Sequence, residues 1–271
     1  MSVKSSGGVF EVLRALAAAN APLGASELAA QLELPPSTAG RAAATLEAAG
    51  FARRAPASPG KFELGSAGQR LAYAFMSQYP IRDAALPFLQ ELASMHGFSS
   101  SLFVRLGRYA LRIAFFAGSN SIIHINAVGE VRALADGAAG KVLMAHDNLA
   151  DRQGAPANGT AAKPAVKLAQ ALQDVRAAGW ALESSALDQG GFDLAFPLLD
   201  AQGHSVAAVV LEGLPERPGQ GDERVLAWAA ILRRLQSVLD ENPGLLLSPY
   251  EHIDTTLIDL PDHPRVPNQP P

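Results

Sequence analysis

The feature that most constrains this chain is the proline pair Pro35-Pro36, which separates two short helical patterns near the amino end. Proline breaks a helix interior but is tolerated in a first turn, so one helix must end before the pair and another must begin there. Upstream, apolar residues at i, i+3, i+4 and i+7 predict an amphipathic helix over residues 8–19. A second short helix follows it, and we expect Ser26 to be its N-cap.

The third helix is predicted over residues 36–49, with Gly50 as its C-terminal stop. Its apolar residues fall on one face: Ala39, Ala42, Ala43, Leu46 and Ala49. Two strand-like pieces, 51–54 and 61–64, then flank a Pro/Ser/Gly loop. Three helices with a tight turn between the second and third, followed by a hairpin, indicate a winged helix-turn-helix.

The opposite face of the third helix has the composition of a DNA-reading surface. A helix enters the major groove, about 12 Å wide, only with small outward residues, and it gains from hydroxyl groups and from an arginine that can bridge guanine. The residues on this face and its flank are small or polar: Ser37, Thr38, Arg41, Ala44, Thr45 and Ala48. We expect the hairpin cations Arg53, Arg54 and Lys61 to contact the DNA backbone or minor groove. The alternative is an alanine-rich bundle with a few surface cations.

Charge is unevenly distributed along the chain. The first 70 residues hold seven basic and five acidic side chains, whereas the remainder holds 15 basic and 21 acidic ones. Only the first region is therefore suited to a polyanion such as double-stranded DNA.

The next stretch is helical with a break at Pro80. Apolar stripes run along both pieces: Leu71, Phe75 and Tyr79 on the first, and Ile81, Ala85, Phe88, Leu92 and Met95 on the second. These stripes serve either a dimer or packing against the rest of the chain, and the pattern leaves both open.

Residues 98–240 predict a mixed α+β region. The β-prone runs are SSLFVRL, ALRIAFF, IIHINAV, WALESSAL, FDLAFPLL and SVAAVVLEG, with helices at 137–146, 162–178 and 221–240. Short connections favour an antiparallel sheet flanked by helices. We expect 147–161 to be a surface loop, and the tail from Asn242, with seven of the 19 prolines, to be extended or disordered.

Composition excludes several classes of protein. With 48% hydrophobic and 18% charged residues, most of the chain is not disordered. No apolar stretch reaches the 18 residues of a membrane span, and the first 14 residues lack the apolar run of a signal peptide. The absence of cysteine excludes disulfides, zinc ribbons and cysteine nucleophiles. We therefore expect a cytoplasmic protein. The sequence has no Walker loop, HExxH pair or G-x-S-x-G elbow, so we also expect neither an enzyme nor a bound metal or cofactor.

The segment LPPSTAGRAAATLEAAGF, followed by KFELG, resembles the recognition helix and wing of the IclR family of bacterial transcriptional regulators. ADGAAGKVLMA and GWALES…FDLAFPLLDAQGHSVAAVVLEG resemble later segments of that family, so the likeness covers about residues 7–240. It implies a winged helix-turn-helix domain (1–66), linker helices (67–97), a GAF-like effector-binding domain (98–240) and a Pro-rich tail (241–271). The implied function is a ligand-responsive repressor, dimeric or tetrameric, on a pseudo-palindromic operator.

Two positions depart from the family pattern within the recognition helix. Pro36 stands where the family often has lysine, and Gly40 where it often has histidine. Glycine costs roughly 1 kcal/mol of helix propensity relative to alanine. We count Gly40 among the DNA-facing positions and expect greater dependence on Arg41 and the wing.

The resemblance also implies an effector pocket. Its lining comprises the amides of Ala138 and Ala139 together with the side chains of Glu183, Asp193, Val210 and Glu212. Burying three carboxylates around an anion is prohibitive without added cations. If all three face inward, the effector is cationic, metal-bound or rich in hydroxyl donors. Otherwise Glu183 and Glu212 face solvent, or an arginine (Arg105, Arg112 or Arg132) neutralises the charge.

Two other functions remain open at this stage. One is a GAF-like small-molecule-binding protein that has lost DNA binding, in its sharpest form a hydrolase using Asp193 and Glu212 as paired carboxylates. The other is a purely structural oligomer held by the linker stripes and the tail.

Overall fold

The computed structural model of this chain describes residues 4–19, 21–119, 128–146, 162–184, 191–218 and 222–246. The chain divides into two compact units between Ser77 and Gln78. The predicted strand at 122–128 (apart from Val128) and the predicted loop at 147–161 lie outside the described residues, as does the tail beyond 246.

The N-terminal unit is the predicted winged helix-turn-helix. Its elements are α1 (Lys4–Ala18), β1 (Leu23–Gly24), α2 (Ala25–Gln31), α3 (Pro36–Ala48), β2 (Ala52–Arg54), β3 (Lys61–Leu64) and α4 (Ser66–Met76). The three strands form an antiparallel sheet in the order β1-β3-β2. The two-residue strand β1 was not predicted from the sequence; it pairs Leu23 with Phe62.

The turn between α2 and α3 follows from its residues. Glu33 adopts the left-handed conformation with φ of 53°, and Pro35 then caps α3 with Pro36 in the first turn.

The predicted N-cap of α2 is wrong. Gly24 holds that position, and the Glu27 carboxylate accepts a hydrogen bond from its amide at 2.6 Å. Ser26 therefore falls inside the first turn, where its side chain is exposed.

The core of the N-terminal unit is built largely from alanine. It comprises Val12, Ala15, Leu16, Leu28, Ala29, Ala39, Ala42, Ala43, Leu46, Ala52 and Phe62. Four of the five predicted core residues of α3 are buried, but Ala49 is exposed because the helix ends one residue before it. The small side chains bring α3 close to α1 and α2 and fix which of its faces remains outside.

The predicted linker helices fall one in each unit. Helix α4 belongs to the first unit, and α5 (Pro80–His96) belongs to the second. Tyr79 does not share the stripe of α4, because α4 ends at Met76; it precedes α5 and is buried. Leu71 of the α4 stripe is 62% exposed. The domain limits drawn from the sequence stay a proposal.

The C-terminal unit is a six-stranded antiparallel sheet flanked by helices, as predicted. After α5 it contains β4 (Ser99–Leu106), β5 (Tyr109–Phe116), β6 (Val131–Ala133), α6 (Gly137–Ala145), α7 (Ala162–Ala178), β7 (Ala181–Ser184), β8 (Phe192–Leu199), β9 (Ser205–Leu214) and α8 (Glu223–Glu241). The strand order is β6-β5-β4-β9-β8-β7. The short strand β6 was not predicted. A 3-10 helix follows α8 at Pro243–Leu246, where the sequence predicted an extended or disordered tail.

Alternate residues of the strands face different helices. On one face the Ser100 hydroxyl donates to the Leu89 carbonyl of α5 at 2.7 Å, and the Gln236 amide of α8 bonds both backbone groups of Leu199. On the other face α6 packs over the sheet, and α7 packs against α6. Within the described part of the chain, no helix combines the length and apolarity that a membrane crossing requires.

Helix α6 lies unusually close to the backbone that precedes it. A Cβ at Gly140 would stand 2.0 Å from the Leu134 carbonyl oxygen, so only glycine fits there. This close approach holds the start of α6 over the sheet face that carries Phe103 and Val210, which belong to the same buried cluster as Ala138 and Ala139.

Candidate functional site: a DNA-reading helix and a buried ion network

The outward face of α3 carries most of the residues that the sequence assigned to DNA reading. Ser37, Arg41, Ala44, Thr45 and Ala48 are all exposed. Within the described residues Arg41 forms no ion pair, so its guanidinium can take a new acceptor. The Thr45 hydroxyl donates to the Arg41 carbonyl at 2.9 Å, which leaves its oxygen as an acceptor.

Two of the predicted DNA-facing positions lie deeper than the rest. Thr38 and Gly40 are half-buried, and a Cβ at Gly40 would meet the Ala25 Cβ of α2 at 3.6 Å. That separation is ordinary van der Waals contact, so Gly40 borders α2 and not the open face.

The three wing cations are each paired with a carboxylate. Arg53 lies 2.6 Å from Glu63, Lys61 lies 2.6 Å from Glu27, and Arg54 Nε lies 3.2 Å from both carboxylate oxygens of Glu47. The sequence did not indicate these pairs. The Lys61–Glu27 pair in particular joins residues that are 34 positions apart.

In the C-terminal unit, the predicted effector positions lie on α6 and on the strands that it packs against, β7, β8 and β9. Ala138 and Ala139 are buried in the first turn of that helix. Asp136 is its N-cap but makes no side-chain cap hydrogen bond, and the first turn contains no acidic residue. Free amides and the positive end of the helix dipole form a surface that suits an acceptor oxygen.

The most deeply buried charge of this unit is Arg112, whose side chain is 0% exposed. It forms a bidentate ion pair with Glu212, with Nη1–Oε2 at 2.9 Å and Nη2–Oε1 at 2.8 Å. Ser101 bridges the pair, accepting from Arg112 at 3.0 Å and donating to Glu212 at 2.8 Å. Glu130 approaches the same guanidinium at 2.9 Å. The rings of Phe103 and Phe115 lie 4.9 and 5.5 Å from it.

Arg132 extends this network but makes fewer hydrogen bonds than Arg112. Its Nε pairs with Glu130 at 2.5 Å, whereas Nη1 is 4.0 Å from Asp193 and Nη2 is 3.9 Å from Glu212. Nη2 is buried and makes no hydrogen bond within the described structure. Burial opposes the charge of Arg132, but the carboxylates, Glu130 foremost, hold its pKa above the ordinary arginine value.

The three predicted acidic residues have different surroundings. Asp193 and Glu212 are buried, so the alternative in which Glu212 faces solvent is wrong. Glu183 is half-buried and pairs with Lys141 of α6. Arg112 and Arg132 supply the charge compensation that the sequence left as one option, so the carboxylates no longer require a cationic effector.

The sequence indicated Arg112 and Arg132 only as two of three arginines that could neutralise the carboxylates. It did not indicate Ser101 or Glu130. A signal existed for Arg112, since a lone cation inside the apolar strand ALRIAFF needs a buried partner. Ser101 shares its strand face with Phe103 by alternation. Glu130 precedes β6, and nothing in its sequence context marks it.

The paired-carboxylate arrangement of a hydrolase is not available at this site. Both oxygens of Glu212 accept hydrogen bonds from Arg112, so that carboxylate is already occupied. Among the described residues, no group of three His, Asp or Glu side chains could hold a metal ion.

Comparison with known proteins gives concordant results. Residues 9–56 match the family model described as the IclR helix-turn-helix domain. Residues 73–234 match that of the C-terminal part of the bacterial transcriptional regulator IclR. The chain is 29% identical over 211 residues to the glycerol operon regulatory protein of Streptomyces griseus, a match spanning 76% of this chain and 83% of that protein.

Solved structures share the fold. IclR of Thermotoga maritima superposes with a TM-score of 0.70 at 20% identity, covering 90% of this chain and 100% of that one. An IclR homologue from Microbacterium hydrocarbonoxydans, solved with 4-hydroxybenzoate, gives 0.69 at 18% identity, covering 88% and 98%. The sequence relatives are named as regulators, which agrees with a regulator and not an enzyme.

The buried Arg112–Glu212 pair yields a test of the ion network. Arg112→Met or Glu212→Leu alone is expected to cost about 3–5 kcal/mol of unfolding free energy, because each removes the bidentate partner of a buried charge. The double variant should lose clearly less than the sum of the two. Denaturant unfolding of the full chain measures all three.

The exposed pair Arg234–Glu91, at 2.8 Å, is the matched control. Its coupling energy should not exceed about 1 kcal/mol. Additive losses for Arg112 and Glu212, with no coupling beyond that of the control, would contradict the network.

Proposed function

This chain belongs to the IclR family of bacterial transcriptional regulators, and on that premise we propose that it acts as a homodimer on a pseudo-palindromic operator. Helix α3 reads the major groove, and a small molecule in the C-terminal unit changes the DNA affinity. Since such a regulator works on chromosomal DNA, we place it in the cytoplasm.

The exposed face of α3 is the observation that carries this proposal. It combines small residues, hydroxyl groups and one arginine, and within the described residues that arginine has no competing carboxylate. A bidentate contact from Arg41 to guanine contributes about 1–3 kcal/mol of discrimination against a wrong base. Ser37, Thr38 and Thr45 supply further polar contacts along the same groove.

A second copy of the chain suits the exposed apolar residues of α4. Leu71 and Tyr73 are 62% and 76% exposed on this helix. Two-fold symmetry would place the two copies of α3 on half-sites about 34–36 Å apart, or a multiple of that distance.

The effector site we propose lies between the first turn of α6 and the ion network. The amides of Ala138 and Ala139 and the unused Nη2 of Arg132 offer donors, while the Asp193 carboxylate offers an acceptor. Val210 provides an apolar floor, and Glu183 borders the site through Lys141. Donors and acceptors side by side suit a hydroxyl-bearing small molecule.

The names of similar proteins point to the same chemistry. One relative is named for a glycerol operon, and one structural neighbour was solved with 4-hydroxybenzoate. Glycerol and 4-hydroxybenzoate both carry hydroxyl groups. We propose that the DNA-bound chain blocks transcription and that such a molecule releases it from DNA, as for a repressor.

Arg41→Ala is expected to reduce the preference for the operator over random DNA by about 1–3 kcal/mol, because the base contact is lost while phosphate contacts remain. Fluorescence anisotropy with a duplex from upstream of the chain's own coding sequence, and with a random duplex of equal length, measures this preference.

The control for Arg41→Ala is Arg233→Ala, which removes the same charge from an exposed position on α8. Its preference for the operator should stay at the wild-type level. An Arg41→Ala protein that discriminates as well as the wild type would overturn the role given to Arg41.

Millimolar glycerol or 4-hydroxybenzoate is expected to raise the melting temperature of the wild-type chain, since a ligand at 100 times its Kd adds about 2.7 kcal/mol of stability. Arg132→Met should abolish the ligand-induced shift, whatever its own melting temperature. Arg234→Met, at an exposed arginine of α8, should retain the shift. An undiminished shift in Arg132→Met would exclude the proposed site.

A further inference from the structure

The cations of the wing are already paired with carboxylates when the N-terminal unit is free of DNA. Each of the three is matched by one carboxylate of the same unit, so the surface around α3 has less available positive charge than its composition suggests. Two of these carboxylates, Glu27 and Glu47, belong to the helix-turn-helix itself.

The Glu27 carboxylate is held in place from two sides. Its Oε2 accepts the Gly24 amide hydrogen and its Oε1 lies 2.6 Å from Lys61 Nζ. These contacts, the Gly24 hydrogen bond first, lower the pKa of Glu27. Its negative charge therefore persists at the start of α2 even when Lys61 turns to another partner.

The Glu47 carboxylate lies on the last turn of α3 and holds Arg54. Both of its oxygens accept from Arg54 Nε, and the guanidinium lies over the Phe62 ring at 4.0 Å. This stacking fixes the plane of the guanidinium, so Glu47 stays next to any phosphate that Arg54 contacts.

These pairs are weak enough for DNA to disrupt. The four side chains of the Lys61–Glu27 and Arg54–Glu47 pairs are between 35% and 55% exposed, and an exposed ion pair changes an equilibrium constant by no more than about fivefold. Duplex DNA presents one negative charge per roughly 1.7 Å of axis. A phosphate can therefore take Lys61 or Arg54 from its carboxylate, and the displaced carboxylate then lies beside that phosphate.

We propose that Glu27 and Glu47 compete with DNA phosphates for Lys61 and Arg54, and so lower both the DNA affinity and its salt dependence. This inference rests on the proposed DNA-binding function. It assigns to two acidic residues a role opposite to that of the neighbouring cations: they restrain sequence-independent binding and leave discrimination to Arg41.

The test uses the full chain and a fluorescent duplex of random sequence, titrated at several salt concentrations. Glu27→Gln and Glu47→Gln keep a carbonyl acceptor but remove the charge. Each is expected to raise the affinity about two- to fivefold, the range set by an exposed ion pair. The slope of log K against log salt should steepen by about 0.9 for each cation released to a phosphate.

The matched control is Glu91→Gln, which removes the same charge from an exposed pair in the C-terminal unit. It should leave affinity and slope unchanged. An equal gain for Glu91→Gln would attribute the effect to net charge and overturn the inference.

A double-mutant comparison keeps the inference testable if a single variant is unstable. Lys61→Met should reduce DNA affinity more in the Glu27→Gln background than in the wild type, because only there is Lys61 fully available. Equal losses in both backgrounds overturn the inference while leaving the DNA-binding function in place. A wild-type chain that shows no salt-dependent binding to any duplex overturns both.

Discussion

The close packing of small side chains against α1 and α2 determines what α3 presents outward. Ala39, Ala42 and Ala43 keep the helix axis near its neighbours, and Leu46 anchors its second half. With that face sealed, the 3.6-residue period turns Arg41 and Ala44 outward. The surface that we propose reads DNA is therefore a consequence of core packing, and any shift of the buried face would change the direction in which Arg41 points.

The C-terminal unit uses a different kind of interior. Beside its apolar core, one sheet face holds two arginines and three carboxylates, of which Arg112 and Glu212 are nearly fully buried. Such pairs add little net stability, because desolvation offsets most of the attraction. They join β4, β5, β9 and the chain before β6. A ligand bound to Arg132, as proposed, would therefore act on several elements at once.

The sequence alone was sufficient for elements with strong local patterns. The proline pair and the alanine period predicted α3 to within one residue, and the short connections between β-prone runs predicted the antiparallel sheet. Local patterns failed where a long-range contact decides the structure. β1 has only two residues and exists because β3 lies beside it. Tyr79 has the spacing of the α4 stripe, yet the helix has already ended.

The site was predictable in its residue types but not in its connections. The outward residues of α3 follow from helical period, whereas the Lys61–Glu27 and Arg112–Glu212 pairs join residues 34 and 100 positions apart. No local pattern encodes such partners. The charge of a residue was thus readable from the sequence, while its availability to DNA or ligand was not.

The absence of cysteine from the chain permits the most direct test of its central claim. A single thiol introduced as Ala44→Cys lies on the exposed face of α3, and one introduced as Leu226→Cys lies on exposed α8. Maleimide labelling of the first should slow strongly when upstream DNA is bound, while labelling of the second stays unchanged. Equal labelling of Ala44→Cys with and without bound DNA would show that α3 does not enter the groove.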